Sequence, residues 1–199
     1  MAVLRRSLLL IAIVCIVAPV AAGAAPHTRL GLCAGLGFGV ESVSWTDADG
    51  ARDAESSGTA NARIGYAVKS DLVLGVEFWG WAKEYEVLTS SGTVDIDVQL
   101  TATTLAVTYY PGNAGFFLRL GAGLAYSRVD LNVPAGVDPP ANGSGTEAGV
   151  AVLFAPGYEF RLTRTLALGA QGDVVYMGLS DVIENPFGYG LNVQFNWYW

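Results

Sequence analysis

Apolar residues alternate with small or polar residues along most of the chain. The pattern is clearest at the C-terminus, where apolar or aromatic residues occupy every second position from Phe187 to Trp199. Successive side chains of a β-strand point to opposite faces, so a period of two predicts a strand with one apolar and one polar face. The same reasoning predicts eight strands, over residues 30–41, 60–68, 72–79, 94–110, 116–127, 150–162, 166–177 and 187–199.

The segments between these strands alternate in length. Residues 69–71, 111–115 and 163–165 are short turns, whereas 46–58, 88–93, 133–146 and 179–186 are longer and rich in Gly, Asp, Ser and Pro. Short turns at one end and long loops at the other are typical of outer-membrane barrels. In the fourth strand the apolar phase changes at Thr103-Thr104, which predicts a β-bulge there.

Alternation alone does not say which face points outward, and a lipocalin-like secreted barrel would point its apolar face inward. The polar face decides between the two, because it holds mainly Gly, Ala and Asn with isolated charges such as Arg63, Glu77 and Asp173. Such a face is better suited to a narrow barrel interior than to contact with water. Aromatic residues such as Tyr66 and Tyr158 lie towards strand ends, as in the girdles of membrane barrels. We therefore expect an all-β, antiparallel, up-and-down transmembrane barrel.

Composition supports this choice. The chain is 52% hydrophobic and only 15% charged, with a mean hydropathy of +0.39. A soluble domain carries about 25% charged residues, yet no run after residue 24 reaches the roughly 20 apolar residues of a membrane helix. The formal net charge of −7 argues against a nucleic-acid partner, because phosphate binding needs a basic patch.

The first residues have the features of a secretion signal. Arg5 and Arg6 precede the apolar stretch 8–22, and Ala22-Gly23-Ala24 offers small residues for cleavage. We predict a signal peptide over 1–24 and a barrel domain over 25–199, with a short membrane anchor as the alternative. Cleavage would leave Cys33 as the single cysteine, so no intramolecular disulfide is expected.

With these features the chain resembles the small eight-stranded outer-membrane barrels of Gram-negative bacteria, the OmpA, OmpX and OmpW group. The resemblance implies an outer-membrane, porin-like monomer in contact with lipid and lipopolysaccharide. It also implies that the final strand, with Phe195, Trp197 and Trp199, is read by the barrel-assembly machinery. Both termini fall on the short-turn side, so we expect them in the periplasm and the long loops outside the cell.

The sequence offers little catalytic chemistry. Enzymes among the small outer-membrane barrels use a histidine for proton transfer, and the single histidine, His27, precedes the first strand. Asp47-Ala48-Asp49-Gly50 lacks the later ligands of a calcium loop. We expect no catalysis, metal or cofactor, and a structural or surface-interaction role. The alternatives are a narrow channel, suggested by inward glycines such as Gly35 and Gly121, and a lipid-modifying enzyme.

Turn geometry predicts interior ion pairs. Ser70 is the centre of the short turn that joins the second and third strands, and Arg63 and Glu77 lie seven residues to either side of it. Residues equidistant from a hairpin turn lie opposite each other, so these two side chains should pair inside the barrel. Arg119 and Glu159 lie at similar heights on the fifth and sixth strands, which predicts a second pair. An unpaired interior charge costs several kcal/mol, so both pairs should help to close the lumen.

Overall fold

The computed structural model describes residues 29–46, 52–89, 92–132, 143–180 and 183–199. Within them the chain forms eight β-strands and one short 3-10 turn, Pro111–Asn113. The strands are β1 Gly31–Thr46, β2 Arg52–Lys69, β3 Leu72–Thr89, β4 Gly92–Tyr109, β5 Phe116–Asn132, β6 Gly143–Arg161, β7 Leu166–Gly178 and β8 Glu184–Tyr198. The predicted signal peptide, His27 and the Asp47–Gly50 motif lie outside the described residues. Among the described residues, no helix is long and apolar enough to cross a membrane.

The strands form a closed barrel in chain order, and every neighbouring pair is antiparallel. Closure is completed by β1 and β8, where Cys33 pairs with Tyr198 and the ladder continues to Thr46 and Glu184. The predicted all-β, antiparallel, up-and-down architecture of eight strands is therefore confirmed. Where the ladders are continuous around the barrel, closure also removes the sheet edges that an open sheet would expose.

The two ends of the barrel differ. We call the end that carries residues 70–71, 110–115 and 162–165 the turn end, and the opposite end the loop end. The three short turns are where the sequence predicts them. The loop-end connections are shorter than predicted, because residues 52–58, 143–146 and 184–186 continue the strands.

The polarity of the strands inverts towards the loop end, and β4 shows how. Near the turn end Leu105, Val107 and Tyr109 point outward, and Leu105 is 74% exposed. Towards the loop end, Val98, Leu100 and Ala102 point inward and are buried. The register of β3 with β4 is unbroken from Leu72↔Tyr109 to Thr89↔Gly92. The predicted bulge at Thr103-Thr104 is therefore wrong, because the change in the apolar pattern marks a change of environment along a regular strand.

Two clusters of buried apolar residues fill the two ends of the interior. The larger lies towards the loop end and contains Val43, Trp79, Trp81, Val98, Leu100, Ala102, Ala125, Ala151, Leu153, Ala155, Val175, Met177, Leu179 and Ile183. The smaller lies at the turn end and contains Cys33, Ala67, Val73, Tyr110, Phe117, Ala167 and Tyr198. Most of the buried charged and amide side chains occupy the interior between them, and the remainder lie at the turn end.

Candidate functional site

Arg119 is the centre of the polar interior. Its guanidinium is fully buried and forms an ion pair of 3.0 Å with Glu77. It also donates to Thr108 Oγ1 at 3.1 Å and to Gln171 Oε1 at 2.8 Å. Arg119 extends from β5, Glu77 from β3 and Gln171 from β7, so one side chain connects three separate parts of the barrel wall. A buried charge held in this way fixes the spacing of opposite strands.

The ion pairs differ from those predicted. Arg63 lies directly opposite Glu77, as turn geometry predicts, but the cation bound to Glu77 is Arg119. Glu159, the predicted partner of Arg119, pairs instead with Arg29 at 2.7 Å. The reason is geometric: an inward side chain in a narrow barrel reaches across the lumen as easily as along the wall. Strand register alone therefore does not define its partner.

Glu159 organises the turn end. The carboxylate accepts from Arg29 Nε at 3.0 Å, from Tyr198 Oη at 2.7 Å and from Asn196 Nδ2 at 3.0 Å. Tyr110 Oη is 3.4 Å away and donates to the same carboxylate. Burial, reinforced by the Glu159 charge, raises the pKa of Tyr110 well above its ordinary value, so its hydroxyl remains a donor. These contacts close the interior at the turn end.

Two further carboxylates meet near the middle of the barrel. Glu41 of β1 and Asp173 of β7 are buried, and the same amide nitrogen of Asn192 donates to both. Trp79 Nε1 also donates to Glu41 at 3.0 Å. No cluster of three or more metal-ligating side chains occurs within the described residues. The bonds from Asn192 and Trp79 make Glu41 and Asp173 part of the interior hydrogen-bond network.

The inward glycines are filled rather than open. A Cβ atom at Gly35 would come within 2.7 Å of Arg63 Nε, and one at Gly121 within 2.7 Å of Thr104 Oγ1. Their missing side chains thus make room for neighbouring polar side chains, so the glycines do not indicate a pore. A small cavity lies near Cys33, Arg63 and Tyr110, with room for about one or two water molecules.

The barrel wall splits towards the loop end. Pairing between β2 and β3 ends at Thr59↔Trp81, and pairing between β6 and β7 ends at Val150↔Gly178. Residues 82–89, 92–101, 126–132 and 143–149 of β3–β6 continue beyond these points as a four-stranded extension, the protruding sheet. Its β3 margin has no backbone ladder with the described part of β2. We call residues 82–89 of this margin the β3 edge.

Side chains hold the β3 edge loosely to β2. Ser57 Oγ donates to the carbonyl of Ala82, Lys83 Nζ donates to the carbonyl of Ser56 at 3.2 Å, and Lys83 lies 3.5 Å from Glu55. The Ala82 carbonyl therefore points towards β2. Because backbone groups alternate in direction along a strand, those of Glu84, Glu86 and Leu88 point the same way.

Carboxylates line the outer wall of the protruding sheet. Glu84 lies opposite Asp97, and Asp97 lies opposite Asp130. Like charges placed directly opposite each other are unfavourable in a sheet. Arg128 is the one outward-facing cation in the described part of this wall, and its Nε donates to Asp130 at 2.7 Å. The wall therefore presents a negative surface.

Comparison with known proteins identifies the family to which the chain belongs. The profile of the outer membrane protein beta-barrel domain matches residues 7–195. The chain belongs to this family of outer-membrane barrels. The outward apolar side chains of the barrel, such as Leu120 and Val193, therefore face lipid. The comparison with curated protein sequences found no match.

Solved structures share the architecture at low sequence identity. Ail of Yersinia pestis, crystallised with the heparin analogue sucrose octasulfate, is 13% identical with a TM-score of 0.59, over 84% of this chain and 99% of Ail. OprG of Pseudomonas aeruginosa is 18% identical with a TM-score of 0.53, over 87% and 99% of the two chains. Neisserial surface protein A is 12% identical with a TM-score of 0.53, over 83% and 97%. These similarities concern the fold.

Sequence reasoning missed two parts of the barrel. Arg29 lies two residues before β1, and the alternating pattern contains no signal that it enters the interior. The β3 edge was missed because residues beyond Trp79 lose the apolar-outward pattern. The signal that could have revealed it is the inverse pattern, in which Trp81 and Tyr85 alternate with Glu84 and Glu86.

Proposed function

We propose that this barrel is a non-catalytic surface protein that docks an extended, cationic segment of another protein on its β3 edge. The observation that carries the proposal is that the backbone ladder between β2 and β3 stops at Trp81, whereas β3 continues to Thr89. Beyond the side-chain contacts of Ala82 and Lys83 with β2, residues 84–89 extend about 20 Å along the strand, at roughly 3.3 Å per residue. Unpaired strand edges bind extended peptides by adding a strand.

The charge of the wall supports a cationic partner. A strand added to the β3 edge would place alternate side chains beside the exposed Glu84 and Glu86. Electrostatic complementarity mainly selects the partner and speeds association. Ail was crystallised with a sulfated sugar analogue, but the acidic wall of this chain would repel a polyanion. We therefore exclude sulfated polysaccharides from the proposal.

The docking proposal can be tested with a peptide of eight alternating lysine and valine residues. The peptide should bind the folded barrel in lipid nanodiscs, as measured by fluorescence anisotropy. The double variant Glu84→Lys/Glu86→Lys should weaken binding by about tenfold or more, because it reverses the charge at the edge. Asp97→Lys/Asp130→Lys makes the same change of charge on β4 and β5, away from the edge, and is the matched control, expected to have a smaller effect.

A second peptide separates strand addition from charge attraction. Replacing every valine with proline keeps all lysines but removes backbone donors and favours a different backbone geometry. This peptide should bind more weakly than the valine peptide. Equal binding of the two peptides, or undiminished binding to the Glu84→Lys/Glu86→Lys variant, would contradict the proposal.

We further propose that the protruding sheet faces the cell exterior and that both termini face the periplasm. The alternation of short and long connections supports this orientation. In a Cys33→Ala background, a cysteine at Glu84 should react with an impermeant reagent on intact cells, and a cysteine at Arg164 should not. The reverse pattern would invert the topology. In this orientation a monomeric barrel would contact lipopolysaccharide with its outward face, and the barrel-assembly machinery would insert it.

A further inference from the structure

The side chain of Arg29, two residues before β1, enters the barrel. Arg29 is fully buried, although it lies before the first strand. Its Nη2 atom donates to Glu159 at 2.7 Å and to the carbonyl of Ala114 at 2.9 Å. Its guanidinium also stacks on the ring of Tyr110, 3.4 Å from the centroid. The Arg29 side chain therefore links the start of β1 to Glu159 of β6 and to the turn before β5.

Gly31 allows this path. Its φ of +83° lies in the left-handed region that residues with a side chain rarely adopt. A Cβ atom at Gly31 would also collide with the carbonyl oxygen of Trp199. The bend sends Leu30 outward, where it is 62% exposed, and directs the side chain of Arg29 inward.

The small interior cavity and the Arg29 contact share Tyr110, which lines the cavity and stacks on the guanidinium. Tyr198 also lines the cavity, and so does Cys33, which is 5% exposed. Arg29 covers the ring of Tyr110, and Arg161 covers the ring of Tyr198 at 3.8 Å. Towards the loop end the large apolar cluster closes the interior independently. The lumen is thus a polar chamber with a different closure at each end.

We propose that Arg29 is a strap that closes the turn end of the lumen and keeps water-soluble molecules away from the chamber. Removing its guanidinium would leave a gap beside Tyr110 that leads to Cys33. The strap is independent of the docking edge, because it lies at the opposite end of the barrel and shares no residue with it.

Cys33 reports directly on the strap. In a Cys15→Ala background it is the only thiol of the chain. A small anionic methanethiosulfonate reagent should label it very slowly in the folded barrel, because a buried thiol is inaccessible. The Arg29→Ala variant should react at least about tenfold faster. Arg164→Ala, in the exposed turn, is the matched control and should react like the parent.

A second reporter separates a local opening from a general loosening of the barrel. Ala125 is fully buried in the loop-end apolar cluster, and Ala125→Cys in a Cys15→Ala/Cys33→Ala background places a thiol there. With Arg29→Ala added, this thiol should remain protected. Heat-modifiable migration on gels confirms that each sample is folded before labelling.

The outcomes are distinct. Rapid labelling of Cys33 with continued protection at position 125 supports the strap. Slow labelling of Cys33 in folded Arg29→Ala protein overturns it, and so does labelling at both positions. If Arg29→Ala folds poorly, Arg29→Lys replaces it, because lysine keeps the charge but lacks the planar group that stacks and bonds twice. That variant should show an intermediate rate, and a rate equal to the parent's overturns the strap.

Discussion

The buried Arg119 guanidinium binds Glu77 across the lumen rather than along one hairpin. This contact sets the cost of substituting either residue. The guanidinium is fully buried and paired with Glu77 at 3.0 Å. Breaking a buried pair by removing one partner leaves an uncompensated charge and costs about 3–5 kcal/mol. We predict a loss of that size for Glu77→Gln, measured by urea unfolding from lipid vesicles.

A double-mutant cycle checks the identity of the partner. Glu77→Gln combined with Arg119→Met should show strong coupling. The same cycle with Arg63→Met should show weaker coupling, because Arg63 makes no direct ion pair with Glu77 in the structure. Stronger coupling of Arg63 than of Arg119 would mean that the interior pairs follow strand register after all.

At this scale the sequence predicts which residues lie opposite each other in a hairpin, but not which side chains meet across the lumen. Counting from Ser70 places Arg63 opposite Glu77, because hairpin register is a local property. The count contains no information about which side chains meet across a closed barrel. That depends on closure between β1 and β8 and on the stagger of all the strands. It depends equally on Arg29, which no strand contains.

At the scale of elements, alternation predicts where strands cross lipid and fails where they leave it. Leu105 and Val107 point outward in the half of β4 near the turn end, and Leu100 points inward in the other half. A strand above the bilayer meets water outside and packs against its neighbours inside, so its pattern reverses. The sequence therefore predicted all eight strands but ended several of them too early.

This inversion predicts where the lipid boundary lies. Leu120 is outward and 59% exposed on β5, so Leu120→Lys would place a charge in hydrocarbon. We expect it to lower the free energy of unfolding by about 2–4 kcal/mol in lipid vesicles. Thr101→Lys, outward on β4 at the base of the protruding sheet, should cost little. Equal losses would mean that the apolar band extends further than we infer.

The final strand carries a second prediction at this scale. Phe195, Trp197 and Trp199 remain a predicted assembly signal, on the resemblance to known barrels. Trp199→Lys should therefore lower the yield of inserted barrel in cells, as measured by the heat-modifiable band on gels. Leu30→Lys serves as a control, because Leu30 is similarly exposed at the turn end. Normal folded yield from Trp199→Lys would remove this role from the residue.

At the scale of the whole molecule, the lumen and the outer surface differ: the lumen is closed at both ends, and the protruding sheet is accessible. The loop-end cluster, the Arg119 network and the Glu159 network fill the interior at successive heights. An eight-stranded barrel has an interior only wide enough to be filled by side chains. The protruding sheet, by contrast, has a margin without a backbone ladder to the described part of β2, and a charged wall. We therefore propose that the outer surface, and not the lumen, carries the function.

Single-channel recording of the folded barrel in planar bilayers would show whether the lumen is closed. A lumen closed at both ends should give no discrete openings in symmetric salt at moderate voltage. Insertion must be verified in parallel by protection of the membrane-spanning strands from protease. Reproducible conductance steps from protein that has passed this check would show a continuous aqueous path and contradict the assignment of function to the outer surface.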